Sequence, residues 1–205
     1  MTLRRKRILS VSAIALAALA CASAGAYFYA TWYPKRLHAV LEGSIYRSGQ
    51  PYARQLGPVV HKLGIKTLIN FRDNETVAAN PDCVYERRFA EEHGLKFVNI
   101  PMDCPPTEET ISPLLKELDD PANYPILMHC AEGIERSGLA AAIYRLERMG
   151  WTNDRAVAEL LALGVAKKLR SDSKPQKYVD FMRAYKPHYP LARAGGGTPS
   201  PEGAR

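Results

Sequence analysis

Residues 125–138 read PILMHCAEGIERSG, and this stretch decides the fold class. An apolar run suited to a buried strand ends at His129 and Cys130. Arg136 follows Cys130 by six positions, and an Ala- and Leu-rich helical pattern then covers 138–149. The stretch therefore predicts a strand, a tight loop and a helix in direct succession.

The same alternation of strand-like and helical patterns extends over residues 37–190, which form one predicted domain. The strand-like runs are 45–46, 66–71, 96–100 and 126–128. The other helical patterns cover 52–63, 84–93, 107–118, 156–163 and 174–185, with Gly164 placed to end the fourth of them. This order predicts an α/β fold whose central, largely parallel sheet is flanked by helices.

The charge of the chain lies at its ends. Residues 37–190 carry equal numbers of basic and acidic side chains, so the formal net charge of +7 comes from the flanking segments. A uniformly basic domain is thereby excluded, and we expect no nucleic-acid partner.

The N-terminal segment predicts a membrane anchor. Residues 1–7 are a basic, cytoplasmic N-terminus, and no charged residue occurs from Ile8 to Pro34. Residues 8–33 are long enough for a transmembrane helix and end in a cluster of aromatic residues. The basic flank favours a single-pass membrane protein with a periplasmic domain, held at the membrane through this helix.

Two other readings of this segment stay open. Ala22-Ser23-Ala24 is a possible signal-peptidase site, and cleavage there would give a secreted protein. Small residues before Cys21 would also suit a lipoprotein. At the other end, residues 191–205 are rich in Gly, Pro and Ser and are predicted to be a disordered tail.

The loop after Cys130 suits phosphate chemistry. Its backbone N–H groups can turn inward at a helix N-terminus, and the same field favours the nucleophilic thiolate of Cys130. The planar fork of Arg136 suits two phosphate oxygens, and Gly133 gives the loop backbone freedom. Ser137 can donate a hydrogen bond to the sulfur when it leaves. The predicted phosphate-binding residues are Ala131, Glu132, Gly133, Ile134, Glu135 and Arg136.

Residues 129–138 match the motif His-Cys-x-x-Gly-x-x-Arg-Ser/Thr-Gly throughout. The segment thereby resembles the Cys-based protein tyrosine phosphatase superfamily, in its dual-specificity-like branch. Residues 45–51 (IYRSGQP), 63–72 (LGIKTLINFR) and 150–151 are similar to compact bacterial members. The resemblance implies a protein-tyrosine-phosphatase-like domain, a cysteinyl-phosphate intermediate on Cys130 and no metal or other cofactor. It also implies that His129 positions the loop and supports the thiolate.

The family usually supplies a general acid from a loop well before the Cys. The resemblance therefore implies Asp103, which follows a strand-like run on a Pro-rich loop. A plain solvated aspartate is the alternative. Glu108 and Glu109 are rivals, although both fit better in the first turn of a helix.

Some other residues have two readings each. Arg72, Asp73 and Glu75 follow a strand end and either line the pocket or belong to a solvated loop. Cys83 and Cys104 either pair in an oxidising compartment or are unrelated thiols. Either thiol could also bond Cys130 reversibly.

The predicted function is a protein tyrosine or dual-specificity phosphatase acting on a phosphorylated protein. The alternative is a phosphatase of a phosphorylated membrane lipid or envelope glycolipid, and a third reading is an inactive phosphate-binding module. By charge alone, Glu132 and Glu135 disfavour a heavily charged inositol polyphosphate, provided that their side chains face the pocket. A thiol-disulfide enzyme is disfavoured because the chain has no Cys-x-x-Cys.

Overall fold

A computed structural model describes residues 3–171 and 175–188, except for the side chains of 3–13 and 30. The predicted tail at 191–205 lies outside the described residues. Within them the chain contains five strands. Their bounds are β1 His38–Leu41, β2 Ile45–Gly49, β3 Thr67–Asn70, β4 Lys96–Asn99 and β5 Ile126–Cys130.

The five strands form one sheet in the order β1-β2-β5-β3-β4. Only the β1–β2 pair is antiparallel, so the prediction of a largely parallel sheet is confirmed. The edge strand β1 was not predicted. Of its four residues only Val40 is buried, and so short a strand leaves little periodicity in the sequence.

Strand β5 occupies the middle of the sheet. All five of its residues are buried, because helices cover both faces of the sheet there. In the register of the sheet, Cys130 is level with Gly49 on β2, and His129 is level with Asn70 on β3. The carboxyl ends of these three parallel strands therefore meet at one edge, which is where α/β proteins form their sites.

The helices pack in two layers. Their bounds are α1 Leu3–Trp32, α2 Ala53–Leu63, α3 Asn74–Ala79, α4 Pro81–Glu92, α5 Glu108–Asp119, α6 Arg136–Arg148, α7 Asn153–Leu160, α8 Ala166–Leu169 and α9 Gln176–Ala184. Apolar residues of α5, α6, α7 and α9 form the larger core on one face of the sheet, and α2 and α4 cover the other face. The helices predicted within residues 37–190 are present, and their ends differ from the predicted ones by at most three residues.

Two features of the helical pattern were predicted incorrectly. The first is the start of the helix predicted over 84–93, which begins at Pro81, where Asn80 caps it, and follows the separate short helix α3. The second is Gly164, which was expected to end a helix. It adopts a φ of 122° inside a π-helical turn over Leu161–Val165, and the chain continues directly into α8.

The N-terminal helix α1 lies against α2. Gln55 and Arg54 of α2 donate hydrogen bonds to the carbonyl oxygens of Tyr33 and Thr31, at 2.9 and 3.3 Å. Over the part of the chain that the structure describes, no helix is long and apolar enough to cross a membrane. The structure therefore gives no support to the transmembrane helix predicted over 8–33.

Candidate active site

The loop between β5 and α6 closes over the sulfur of Cys130. Cys130 ends β5 and is 4% exposed. Gly133 turns the loop back with a φ of +75°, and its backbone N–H donates to Cys130 Sγ at 3.3 Å. Ser137 Oγ lies 3.5 Å from the same sulfur. The structure thus brings together the predicted nucleophile and its two predicted partners.

Arg136 is the first residue of α6, and its side chain is partly buried. The first N–H groups of a helix have no partner within the helix, so the loop and the start of α6 present donors to the same space. An anion held there meets the positive end of the helix dipole together with the Arg136 guanidinium.

Beneath the loop, His129 binds a buried carboxylate that sequence reasoning missed. His129 is 0% exposed, and its Nε2 lies 2.5 Å from Oε1 of Glu86, which is 1% exposed. Glu86 Oε2 accepts hydrogen bonds from Gln50 and Asn70 at 3.1 and 3.0 Å. These bonds fix the ring of His129 next to Cys130. The only sequence signal was a glutamate within a predicted helix, which is ordinary.

The other two cysteines of the domain are free thiols, which agrees with the second of the two readings, that Cys83 and Cys104 are unrelated. Cys83 donates to Gln50 Oε1 at 3.1 Å, and burial raises the pKa of its thiol. Cys104 belongs to the larger apolar core, and burial raises the pKa of its thiol to about 11. Neither environment favours a reactive thiolate.

A single lysine from α8 pairs with both loop glutamates. Lys168 Nζ lies 2.9 Å from Glu132 Oε2 and 3.1 Å from Glu135 Oε2. Burial pulls the pKa of Lys168 down, but its hydrogen bonds to the two carboxylates outweigh this effect and raise it. The pairing offsets one of the two negative charges, so the argument that these glutamates repel additional phosphates loses part of its basis. Lys168 follows Cys130 by 38 positions, so no local motif reveals the pairing.

The predicted general acid lies on the expected loop. Asp103 is exposed between the buried residues Met102 and Cys104, in the segment that joins β4 to α5. The two rival glutamates are in the first turn of α5, as their sequence context indicated. Glu108 forms an ion pair with His188 at 3.0 Å. Hydrogen bonds with Thr107 and the backbone lower the pKa of Glu109.

Asp73 caps the N-terminus of α3. Its carboxylate caps α3 by accepting from the backbone N–H and the hydroxyl of Thr76, at 2.7 and 2.8 Å. These bonds lower its pKa, and the nearby charge of Arg136 acts in the same direction. Asp73 is therefore a helix cap close to the site. Its neighbour Arg72 reaches Cys83 Sγ at 3.6 Å.

A cavity lies away from this loop, between α5, α6 and the C-terminal residues. It has a volume of about 550 Å³ and contains the buried carboxylate of Glu147. Glu147 Oε1 accepts from the hydroxyl of Tyr185 at 2.6 Å and from the backbone N–H of His188 at 2.9 Å. These bonds tie residues 185–188 to α6, and we assign the cavity no role in the chemistry.

A central strand that ends in Cys130, a tight loop whose Gly133 amide faces the sulfur, and a helix that opens with Arg136 define the Cys-x5-Arg class of phosphate-handling domains. The chain belongs to the tyrosine phosphatase family, whose family model matches residues 33–181. It is 33% identical over 112 residues to the tyrosine-protein phosphatase-like protein OCA2 of Saccharomyces cerevisiae, a match that covers 53% of this chain and 54% of that protein.

A bacterial protein is also similar in sequence, and a solved structure has the same fold. The dual specificity protein phosphatase TpbA of Pseudomonas aeruginosa is 26% identical over 119 residues, covering 57% of this chain and 50% of that protein. The match thus spans about half the length of both curated relatives. The core catalytic domain of the PP-IP phosphatase SIW14 from S. cerevisiae superposes with a TM-score of 0.58 at 21% identity. That match covers 75% of this chain and 87% of the SIW14 chain and shows the fold.

Proposed function

We propose that the protein is a Cys-dependent phosphomonoester hydrolase. The observation that carries this proposal is the sulfur of Cys130, which is buried and faced by the Gly133 amide and the Ser137 hydroxyl. Such an environment presents hydrogen-bond donors to the sulfur and to a tetrahedral anion. Family membership over residues 33–181 supports the same activity.

The proposed reaction has two steps. In the first, the Cys130 thiolate attacks phosphorus, the bond from phosphorus to the leaving oxygen breaks, and Asp103 gives that oxygen a proton. In the second, water attacks the cysteinyl-phosphate and gives up a proton to Asp103, and the S–P bond breaks to release inorganic phosphate. Ser137 donates a hydrogen bond to the departing sulfur. Arg136 and the loop amides from Ala131 to Glu135 stabilise the equatorial oxygens in both steps.

The proposed substrate is a phosphorylated protein, with phosphotyrosine as the first choice. The tyrosine phosphatase-like and dual specificity relatives support this choice. The alternative is a phosphorylated lipid or envelope glycolipid, and the uncharged N-terminal run favours it because such a segment would hold the site near a bilayer.

Hydrolysis of p-nitrophenyl phosphate in the presence of EDTA tests the activity. A strict metal requirement, or no turnover by folded protein, would refute the proposed mechanism. Phosphotyrosine peptides, phosphoinositides and phosphorylated envelope lipids are then compared by kcat/KM. A preference for either lipid class would replace the protein substrate with the alternative.

Asp103→Asn is expected to slow hydrolysis of an alkyl phosphate by about 100-fold, because an alkoxide leaves poorly without a proton. The same variant should lose much less activity on p-nitrophenyl phosphate, whose leaving group needs no proton. Steady-state kcat on the two esters measures the difference. Glu109→Gln is the control and should leave both rates unchanged. Equal rates for Asp103→Asn and the wild type on the alkyl ester would remove Asp103 from the mechanism.

Lys168→Ala is expected to raise KM about threefold with little change in kcat, because it leaves two unpaired carboxylates beside the phosphate pocket. Lys167→Ala is a matched control, since it removes the same charge from the exposed neighbouring position. Saturation curves with p-nitrophenyl phosphate at low ionic strength measure both variants. An equal change in the two variants would show that only net charge matters.

We further propose that residues 8–33 attach the protein to a membrane with the domain outside the cytoplasm. The support is the sequence itself, which is uncharged from Ile8 to Pro34 and basic on both sides. Fractionation of cells followed by mass spectrometry of the intact protein tests this location. An N-terminus at Gly25 would instead establish cleavage of a signal peptide.

A further inference from the structure

Two arginines outside the Cys-x5-Arg motif bind successive carbonyl groups of the loop. Arg36 Nη1 donates to the carbonyl oxygen of Glu132 at 2.9 Å. Arg47 Nη1 donates to the carbonyl oxygen of Gly133 at 3.0 Å. These residues precede the loop by 96 and 86 positions, and neither was predicted to belong to the site.

A trans peptide group is planar, so its C=O and N–H point in opposite directions. The carbonyl of Glu132 and the N–H of Gly133 belong to one peptide group, and that N–H donates to Cys130 Sγ at 3.3 Å. A guanidinium on the carbonyl side therefore fixes the direction of the N–H on the sulfur side. The next peptide group joins Gly133 to Ile134, and Arg47 binds its carbonyl. The N–H of Ile134 therefore points away from Arg47 in the same manner.

We infer that Arg36 and Arg47 are positioning residues, which hold two successive peptide groups of the loop so that their N–H groups face the thiolate and the bound phosphate. This inference rests on the proposed function. A cation on the carbonyl also polarises the peptide group and strengthens its N–H as a donor.

Arg47 is a buried cation, and its bond to the loop partly compensates for its burial. Its side chain is 2% exposed on β2, within the layer directly behind the loop. Burial lowers the pKa of its guanidinium, while the charges of Glu159 and Cys130 act in the opposite direction. A buried cation is costly unless it is paired or hydrogen-bonded. The bond to Gly133 supplies part of that compensation at the base of the site.

Arg36 reaches the loop from a strained backbone. Its φ is +57°, and it is the only non-glycine residue with a positive φ among the described residues. The preceding carbonyl, that of Lys35, accepts from the N–H of Gly49 at 2.8 Å, which fixes this turn against the end of β2. Strain of this kind persists where surrounding contacts hold it, and it is concentrated at functional sites.

Two measurements that need no turnover test the inference. The first is the pH dependence of Cys130 alkylation by iodoacetamide, followed by mass spectrometry of the Cys130 peptide. The second is calorimetric titration with inorganic phosphate. Arg36→Ala is expected to move the alkylation midpoint to higher pH and to weaken phosphate binding about fivefold. Arg36→Lys should recover only part of both, because an ammonium lacks the planar fork.

Arg54→Ala is the matched control, since Arg54 is also an arginine that donates to a backbone carbonyl, that of Thr31 in α1. It should leave both measurements at wild-type values. Arg47→Lys is expected to weaken phosphate binding, with circular dichroism reporting whether it folds. If Arg47→Lys does not fold, the exposed Arg36 still decides the question.

Wild-type alkylation and phosphate binding in folded Arg36→Ala would overturn the inference. Turnover of p-nitrophenyl phosphate reports separately on the proposed function. A wild-type protein without turnover would refute that function, while a shifted alkylation midpoint in Arg36→Ala would still support the positioning role.

Discussion

Cys130→Ser is expected to reduce turnover of p-nitrophenyl phosphate by at least about 10⁴-fold. A serine hydroxyl is far less ionised than a thiol and cannot supply the attacking anion in this loop. The substitution is nearly isosteric, and the partners of the sulfur are a backbone N–H and a hydroxyl, which an oxygen can also accept from. Phosphate binding should therefore survive while turnover is lost.

Calorimetry with inorganic phosphate and rates with p-nitrophenyl phosphate separate these two effects for Cys130→Ser. Cys21→Ser, which changes an exposed thiol in α1, is the control and should match the wild type. Equal turnover by Cys130→Ser and the wild type would mean that Cys130 is not the nucleophile.

Gly133→Ala is expected to lower kcat/KM by about 10³-fold, because the loop cannot keep its path with a side chain there. A Cβ at this position would overlap the backbone N of Gly49 and would lie 2.7 and 2.9 Å from the backbone C and O of Ser48. All three atoms belong to the end of β2, which is fixed by its pairing with β5. The loop must therefore move, and the amide that faces Cys130 moves with it.

Gly150→Ala separates this clash from backbone strain. Gly150 has a φ of +64°, close to the +75° of Gly133, but a Cβ there would meet no atom within 4 Å. It should cost about 1 kcal/mol of unfolding free energy and leave kcat/KM unchanged. Thermal unfolding and steady-state kinetics of both variants supply the comparison. Activity in Gly133→Ala like that of Gly150→Ala would contradict the clash.

The features that depend on residues close together in the sequence were predictable. Cys130, Gly133, Arg136 and Ser137 lie within eight positions, and the strand before them and the helix after them follow from local patterns. These four residues come together in the fold simply because β5, the loop and α6 follow one another along the chain. The parallel sheet was likewise predictable, because strands alternate with helices along the chain.

The residues that hold this loop from outside were not predictable in the same way. Glu86, Lys168, Arg36 and Arg47 reach it from separations of 33 to 96 positions, through sheet register and helix packing. A local sequence pattern does not show which distant residues the sheet register and the helix packing bring together. Glu132 and Glu135 are an example. Their charge alone predicted repulsion of additional phosphates, but the fold places Lys168 beside both of them.

The basic pair Lys35-Arg36 needs a similar revision. Counted along the sequence, the pair belongs to the flank of the N-terminal segment and indicates orientation. In the fold, the backbone of Lys35 and the side chain of Arg36 both contact the site. The positive charge near the phosphate pocket therefore includes residues outside the predicted domain.

The position of Arg36 also affects where the chain can be shortened without loss of contacts to the loop. A version shortened to begin at Leu37 keeps all five strands and the whole Cys-x5-Arg segment, so it looks complete by secondary structure. It nevertheless lacks Lys35, whose carbonyl accepts from the N–H of Gly49, and Arg36, whose guanidinium binds the Glu132 carbonyl. We expect such a fragment to bind phosphate more weakly than the longer chain. A fragment for assays should instead begin upstream of Tyr33, whose carbonyl is bound by α2.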